Sequence, residues 1–454
     1  MLGEKKIRTL LWELSVPAIL GMLSTAIFNV VDRYFVGKIN PLALSGVGIT
    51  MPIQVLQMAI VFLIGIGSST LVSIRLGEGK KDEAKDILYL SLRYIIYSMA
   101  LFAIGFVLLQ DFVLQKIGVS EQVYPYAQPY ILILMLGAVV GMPGYCLSNS
   151  LRAMGKAKVA MKAVLYTSVL NMILDPVFIF IFRLGVSGAA IATVISQLVH
   201  TIYILGYFTK AEDLPIRLEK RIIESQWRYA KAICAKGSPS FYVQILASAV
   251  GMFVNISIVK YGSDFDVAAI TIILTIFGLY HMIVFGIVQG NQPIVGYNWG
   301  SRQYARVKEA LIFSTFCAFL LSLALFLIIQ LRPQWLIGIF ADDDKLIEMT
   351  SHGMRLYFAA LPLFSIQVMG AQYFQAIGKS KLSGFLFFLR NGLIIVPTIL
   401  ILAPKLGVQG VYLSNAISDS VAAIVTGYFV IREIVSLNSL IREQKESMDD
   451  NLDL

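Results

Sequence analysis

Charge is what this sequence is short of. Only 14% of its 454 residues are Asp, Glu, Lys or Arg, against about 25% in an ordinary soluble domain, so a water-exposed globular fold is excluded. Acid is scarcer still inside the apolar runs, where only Asp32, Asp175 and Asp419 lie well away from the ends. Cys146, Cys234 and Cys317 have no metal-type spacing, so they read as small buried hydrophobes. No Walker motif or soluble nucleotide domain is present, which argues against ATP as an energy source. No His/Glu or Asp pair has hydrolytic or metal spacing, so an enzyme is not expected. The first apolar run is too long for a cleavable signal peptide and lacks a small-residue cleavage site.

What the chain has instead is apolar length, with 57% hydrophobic residues and a mean hydropathy of +0.75. With about 20 apolar residues per bilayer crossing, this predicts an all-α integral membrane protein of twelve spans. They fall at residues 10–36, 47–74, 88–109, 127–150, 159–182, 187–208, 230–260, 268–296, 307–331, 346–375, 382–403 and 408–432. Lys and Arg concentrate on alternate loops, and the opposite loops hold only Lys38, Lys116, Arg183, Lys260, Arg332, Lys345 and Lys405. By the positive-inside rule both termini are cytoplasmic. The net charge of +9 mostly reflects that asymmetry, and no nucleic-acid partner is expected.

The sequence repeats. Arg75-Leu76-Gly77 followed by Glu83-Ala84-Lys85 is echoed by Asn298-Trp299-Gly300 followed by Arg306-Val307-Lys308. Gly155-Lys156-Ala157-Lys158 is echoed by Gly378-Lys379-Ser380-Lys381, and Leu184-Gly185-Val186-Ser187-Gly188 by Leu406-Gly407-Val408-Gln409-Gly410. The expected organisation is a six-helix lobe at 1–214, a cytoplasmic linker at 215–228, a second six-helix lobe at 229–440 and a disordered acidic tail at 441–454. Each copy has an even number of spans, so the copies share one orientation, related by a pseudo-two-fold axis along the membrane normal. That is the parallel-repeat plan of transporters that rock one half against the other.

An ionised side chain inside the bilayer marks an ion or substrate path by default. At 1.5 Å per residue, Asp32, Asp175 and Thr193 come to similar height in the outer half of the first, fifth and sixth spans. Asn171 and Asp175 are four apart and share a helix face. Pro176 cannot donate to the helix ladder and should loosen the turn before it. Two carboxylates in a desolvated pocket cannot both ionise cheaply, so the pair should respond to protons. Its oxygens also suit a hard cation such as Na+, and the residues leave H+ and Na+ both open. Arg33 is adjacent in sequence to Asp32 and is expected to point elsewhere. Neither carboxylate has a counterpart in the second copy, whereas shared packing would have kept both.

Arg390 and Asp419 lie at comparable depth and suggest a structural ion pair, as do Arg355 and Glu348 near the outer interface. His281 reads as a core histidine, and His200 and His352 give less reason for interest. Gln54, Gln57, Gln289 and Asn291 are candidates to line a substrate cavity. The 16 Met and 27 Phe residues suit an adaptable cavity but decide little.

Several motifs fall in order on matching spans: Asn29-x-x-Asp32 leading to Gly37, Arg152-Ala153-Met154-Gly155-Lys156, Asn171-x-x-x-Asp175-Pro176, and Gly188-Ala189-Ala190-Ile191-Ala192-Thr193. Together they resemble the multidrug and toxic compound extrusion (MATE) transporters, closest to the prokaryotic branch. The resemblance implies an antiporter of the bacterial inner membrane, exporting lipophilic, mostly cationic drugs by alternating access against inward H+ or Na+. It needs no cofactor, sits among membrane lipids and works as a monomer. It also implies a cation site at Asp32, Asn171, Asp175 and Thr193. The second-lobe acids used by some relatives are replaced by Gln244 and Gln367. The alternative is a lipid or lipid-linked oligosaccharide flippase of the same two-lobed plan, which would want several cationic residues in its cavity.

Overall fold

Helices follow from the composition: a backbone in hydrocarbon must satisfy its own polar groups, and a helix does so within one segment. The computed structural model describes residues 2–223 and 226–450, and among these there are no strands. The spans are α1 (Ile7–Gly37), α2 (Pro41–Gly77), α3 (Lys81–Lys116), α4 (Tyr124–Ala153), α5 (Ala157–Ile181), α6 (Gly185–Lys210), α7 (Gln226–Tyr261), α8 (Asp264–Gly300), α9 (Tyr304–Leu331), α10, α11 (Ser380–Leu406) and α12 (Val408–Asp450). The tenth is broken into Asp344–Tyr357 and Leu361–Ala376, bent by 46°. Counting that pair as one, the described residues hold twelve helices long and apolar enough to cross a membrane.

The repeat is written into the backbone as well as the sequence. Left-handed residues stand at helix junctions in matching places: Gly79 and Arg302, Gly155 and Gly378, Gly185 and Gly407. At the first two pairs the turn is the same. The amide one residue past the left-handed position reaches back five residues, as in Lys80 N to Arg75 O at 2.9 Å, Gln303 N to Asn298 O at 2.8 Å, Lys156 N to Leu151 O at 2.9 Å and Lys379 N to Phe374 O at 2.8 Å. This closure satisfies carbonyls that a helix end would otherwise leave bare.

Residues Glu13–Gln244 form one compact unit, and Ile245 onward together with the residues up to Trp12 form another. In the first, an apolar plug of Val36, Val47, Phe106, Leu114, Tyr130, Leu134, Ile179 and Val186 packs the C-terminal ends of α1, α3 and α5 against the N-terminal ends of α2, α4 and α6. It closes that end of the unit beside Asp32 and Asp175.

Three expectations are corrected. Residues 441–450 continue α12 rather than being disordered. They are good helix formers, Arg442 pairs with Glu446 at 2.8 Å one turn on, and Gln444 donates to the Arg302 carbonyl at 2.8 Å; 451–454 lie outside the described residues. Arg355 and Glu348 do not pair, because seven residues set them two turns apart on one helix. Of the cysteines only Cys146 is buried, while Cys234 is exposed, as a small side chain on an outer helix face can be.

Candidate functional site

The site is set by how α5 ends and how closely α6 approaches it. Pro176 lacks an amide proton, and the five residues after it, Val177–Ile181, wind as a π-turn, closed by Phe182 N to Val177 O at 2.9 Å. Such turns occur mostly as single insertions, frequently at functional sites. Gly188 of α6 lies against that turn so closely that a Cβ there would stand 2.7 Å from the Phe178 carbonyl carbon. On the other side, α4 presents Gly137, Gly141 and Gly144 to Val194, Gln197 and Thr201 of α6, again with no room for a Cβ. Thr201 completes the join by accepting from Gly144 N at 3.0 Å and donating to Gly141 O at 2.7 Å. Glycine at these approaches holds α6 at the height that places Thr193 opposite Asn171.

With the Asn171 amide oriented so that both its atoms find complementary partners, its nitrogen donates to Asp175 Oδ2 at 2.9 Å. Its oxygen then accepts from the Thr193 amide at 3.1 Å. Asp175 is fully buried and Asp32 is 7% exposed. One oxygen of each, Oδ1, has no hydrogen-bond partner, and the charge on Asp32 acts on Asp175. An unpaired buried carboxylate is costly, so these two oxygens are poised to accept a proton or coordinate a cation. Asp32 and Thr193 line a cavity of about 290 Å³ with Gln54, Gln57, Met51, Met58, Tyr130 and Gln197. The donors are carboxylate, amide and hydroxyl oxygens, the set a hard cation takes. No group of three or more His, Cys, Asp or Glu is suited to a metal ion among the described residues, so a transition-metal centre is not what the donors fit.

The structure thus brings Asp32, Asn171, Asp175, Thr193, Gln54 and Gln57 into one site within one unit. Gln289 and Asn291 lie on α8 in the other unit, where Asn291 is buried with Oδ1 unpartnered. Arg33 corrects an expectation. It lines the same cavity as Asp32, acts on its charge and reaches Met51 Sδ at 3.4 Å. Its long side chain can turn back past a neighbouring helix position, as a short one cannot. Sequence reasoning also passed over Tyr130, which feels both carboxylates, and His200, which is fully buried. The signal for His200 was its spacing: it stands seven residues from Thr193 on α6, close to two helical turns.

The place in the second copy that matches Thr167, Ser168, Thr193 and Gln197 is built differently. Arg390 Nε donates to Asp419 Oδ1 at 2.6 Å, to which Asn415 adds a bond to Asp419 Oδ2 at 3.2 Å. The guanidinium also bonds Asn391 at 2.8 Å and sits 4.6 Å above the Phe364 ring. Arg390 and Asn391 belong to a second π-turn, Leu389–Ile394. The expected ion pair therefore forms, saturated by its own neighbours. His281 stacks beside it on Phe285, 5.7 Å between ring centres.

Comparison with known proteins supplies independent context. The sequence model of the MatE family matches residues 17–177 and 239–401, once in each copy of the repeat. Multidrug export protein MepA of Staphylococcus saprophyticus is 26% identical over 415 residues, covering 90% of each chain. MepA of Staphylococcus aureus is 26% identical over 417 residues with the same coverage. A MATE crystal structure in the bent conformation superimposes with TM-score 0.90 and 25% identity, over 96% of this chain and 98% of that one. An outward-facing multidrug resistance MATE family transporter of the MOP superfamily does so with TM-score 0.89 and 25% identity, at the same coverage.

Proposed function

Because the chain belongs to the MatE family, we propose that it is a multidrug exporter coupled to an inward flow of H+ or Na+, with Asp32, Asn171, Asp175 and Thr193 as its ion site. The observation that carries this reading is the pair of buried carboxylates, each with an oxygen left without a partner, Asp32 lining the cavity and Asp175 close enough to feel its charge. The MepA relatives are named as multidrug export proteins, which supports drugs as the substrate class; lipophilic, mostly cationic drugs are the ones this reading proposes.

In this reading an empty site faces outward with two carboxylates against one nearby cation, Arg33. Loading it removes the excess negative charge, and α1, which carries Asp32, repacks and lowers affinity for a bound lipophilic cation, which leaves outward. The loaded protein then returns to the inward-facing form to bind drug again. One charge moving through 100 mV supplies about 2.3 kcal/mol, enough for a few tens-fold accumulation. The charge pattern on the loops supports cytoplasmic termini, in the inner membrane of a bacterium, and a monomer suffices for the mechanism. A lipid-linked oligosaccharide flippase is less well supported, since Arg33 is the one Lys or Arg in a cavity that also contains Asp32.

The test is export of ethidium from proteoliposomes under an imposed pH gradient and, separately, an imposed Na+ gradient. Asp32→Asn and Asp175→Asn are each expected to abolish driven export. Full export by both variants under both gradients would remove the ion site.

A further inference from the structure

A second, smaller void of about 40 Å³ continues from the acidic cavity into the interior of the same unit. Thr25, Phe28, Tyr145, Thr193 and Gln197 border both spaces. Beyond them the small void is bounded by Thr167, Ser168, Asn171 and Ser196. A polar space of this size holds a water molecule. Ser196 Oγ and Gln197 Oε1 are buried without partners, so a water there would find acceptors and donors waiting.

One helical turn beyond Ser196 on α6 comes His200, on the same face. Thr167 Oγ1 donates to the Ala163 carbonyl at 2.8 Å, and that carbonyl is the backbone group that acts on the His200 ring. Nδ1 has no partner in hydrogen-bond geometry. Nε2 lies 3.1 Å from Ser148 Oγ, and Tyr145 stacks on the ring at 4.4 Å. Beyond Ser148 on α4 stand Asn149 and Arg152, joined at 2.8 Å, and Arg152 is the charged side chain that acts on the ring. Gln197, with an unpartnered oxygen, thus borders both spaces, Ser196 borders the inner one, and His200 with its free Nδ1 comes one helical turn beyond Ser196.

We propose that His200 is a second proton-carrying position, linked to the acidic pair through the Thr167–Ser196 void, so that protons leaving Asp32 and Asp175 cross the interior of this lobe toward the α4–α5 turn. This rests on the acidic-pair reading with H+ as the coupling ion. The ring takes a proton at Nδ1 and gives one up from Nε2 toward Ser148. It then returns to its first tautomer by rotation or by a second exchange, with no net change. An imidazole suits that role because each nitrogen both accepts and donates.

The full chain in proteoliposomes, with a pH dye trapped inside, tests it. His200→Gln keeps size and polarity but cannot carry a proton through, and Thr167→Val removes the hydroxyl while keeping shape. Each is expected to slow drug-coupled proton flux and pH-driven ethidium export by about a hundredfold or more, as removal of a proton-transfer group does, and to change the pH profile. Ethidium binding in detergent and ethidium exchange without a gradient should be retained, and Thr167→Ser should restore flux. If His200→Gln moves protons at the wild-type rate while Asp32→Asn does not, the relay is wrong and the acidic pair stands. If Asp32→Asn also retains pH-driven export, the acidic-pair reading fails first. Export driven by Na+ alone, with no proton flux, overturns the relay as well. Loss of binding or exchange in His200→Gln assigns the residue a packing role and overturns it too.

Discussion

The two copies of the repeat solve the same position in opposite ways. Near the middle of α5 and α6, the first copy has Thr167, Ser168, Thr193 and Gln197 around a small polar space. Counting forward by the repeat, those places are taken by Arg390, Asn391, Asn415 and Asp419, which fill the position with a buried ion pair and its amide partners. A paired charge needs nothing further, whereas the polar space in the first copy is left open beside the acidic pair, whose Oδ1 atoms have no hydrogen-bond partner. One fold can therefore make a fixed post in one half and a responsive site in the other. The difference lies in a few side chains.

The largest effect should come from erasing the contrast on the responsive side. Asp175→Asn leaves the Asn171 contact sterically possible but removes the charge, and driven export should fall by at least about a hundredfold, the scale set when a state-selective interaction of a few kcal/mol is lost. Proteoliposome export measures it, and drug binding in detergent should persist.

Breaking the post should act on folding instead. Asp419→Ala leaves Arg390 buried without its partner, at a cost of about 3–5 kcal/mol, visible as reduced folded yield and a lower Tm. The double change Arg390→Met with Asp419→Leu should recover most of that loss, as apolar replacement of a buried pair commonly does.

A smaller effect is expected at the α5–α6 approach. Gly188→Ala puts a methyl 2.7 Å from the Phe178 carbonyl, and overpacking of this kind costs about 1–3 kcal/mol. Export should fall more than stability, because α6, pushed off the turn, carries Thr193 away from Asn171. Asn171→Ala should reproduce the loss of export without the loss of Tm.

The smallest effect concerns the turns. Gly79 is left-handed at no steric cost, while Arg302 holds the equivalent turn at φ 56°. Arg302→Gly should relieve about 1 kcal/mol of backbone strain, with export unchanged, and a thermal melt measures it.

The spans, the duplication and the shared face of Asn171 and Asp175 were legible because each depends on spacing along one chain. Apolar length sets a crossing, and a helix fixes which neighbours share a face. Apart from the Arg390–Asp419 pair, what could not be read was how side chains meet between helices. Arg33 turns into the cavity because its long side chain has room there beside Met51. The void beside Thr167 exists because α4 glycines draw α6 close in one register. The tail reads as disordered for another reason. Its polar sequence has no apolar stripe, yet one contact back to the Arg302 carbonyl and a one-turn ion pair support a helix there.

The seam of glycines between α4 and α6 has a consequence for how this lobe can work. A zipper meshed tooth by tooth cannot slide by half a tooth, so these two helices travel as one plank. Any breathing that admits an ion must then fall to what surrounds the plank, the proline-bearing α1 and the overwide π-coil of α5. The acidic residues sit on those two pliant partners, and the unyielding pair supplies the wall they close against.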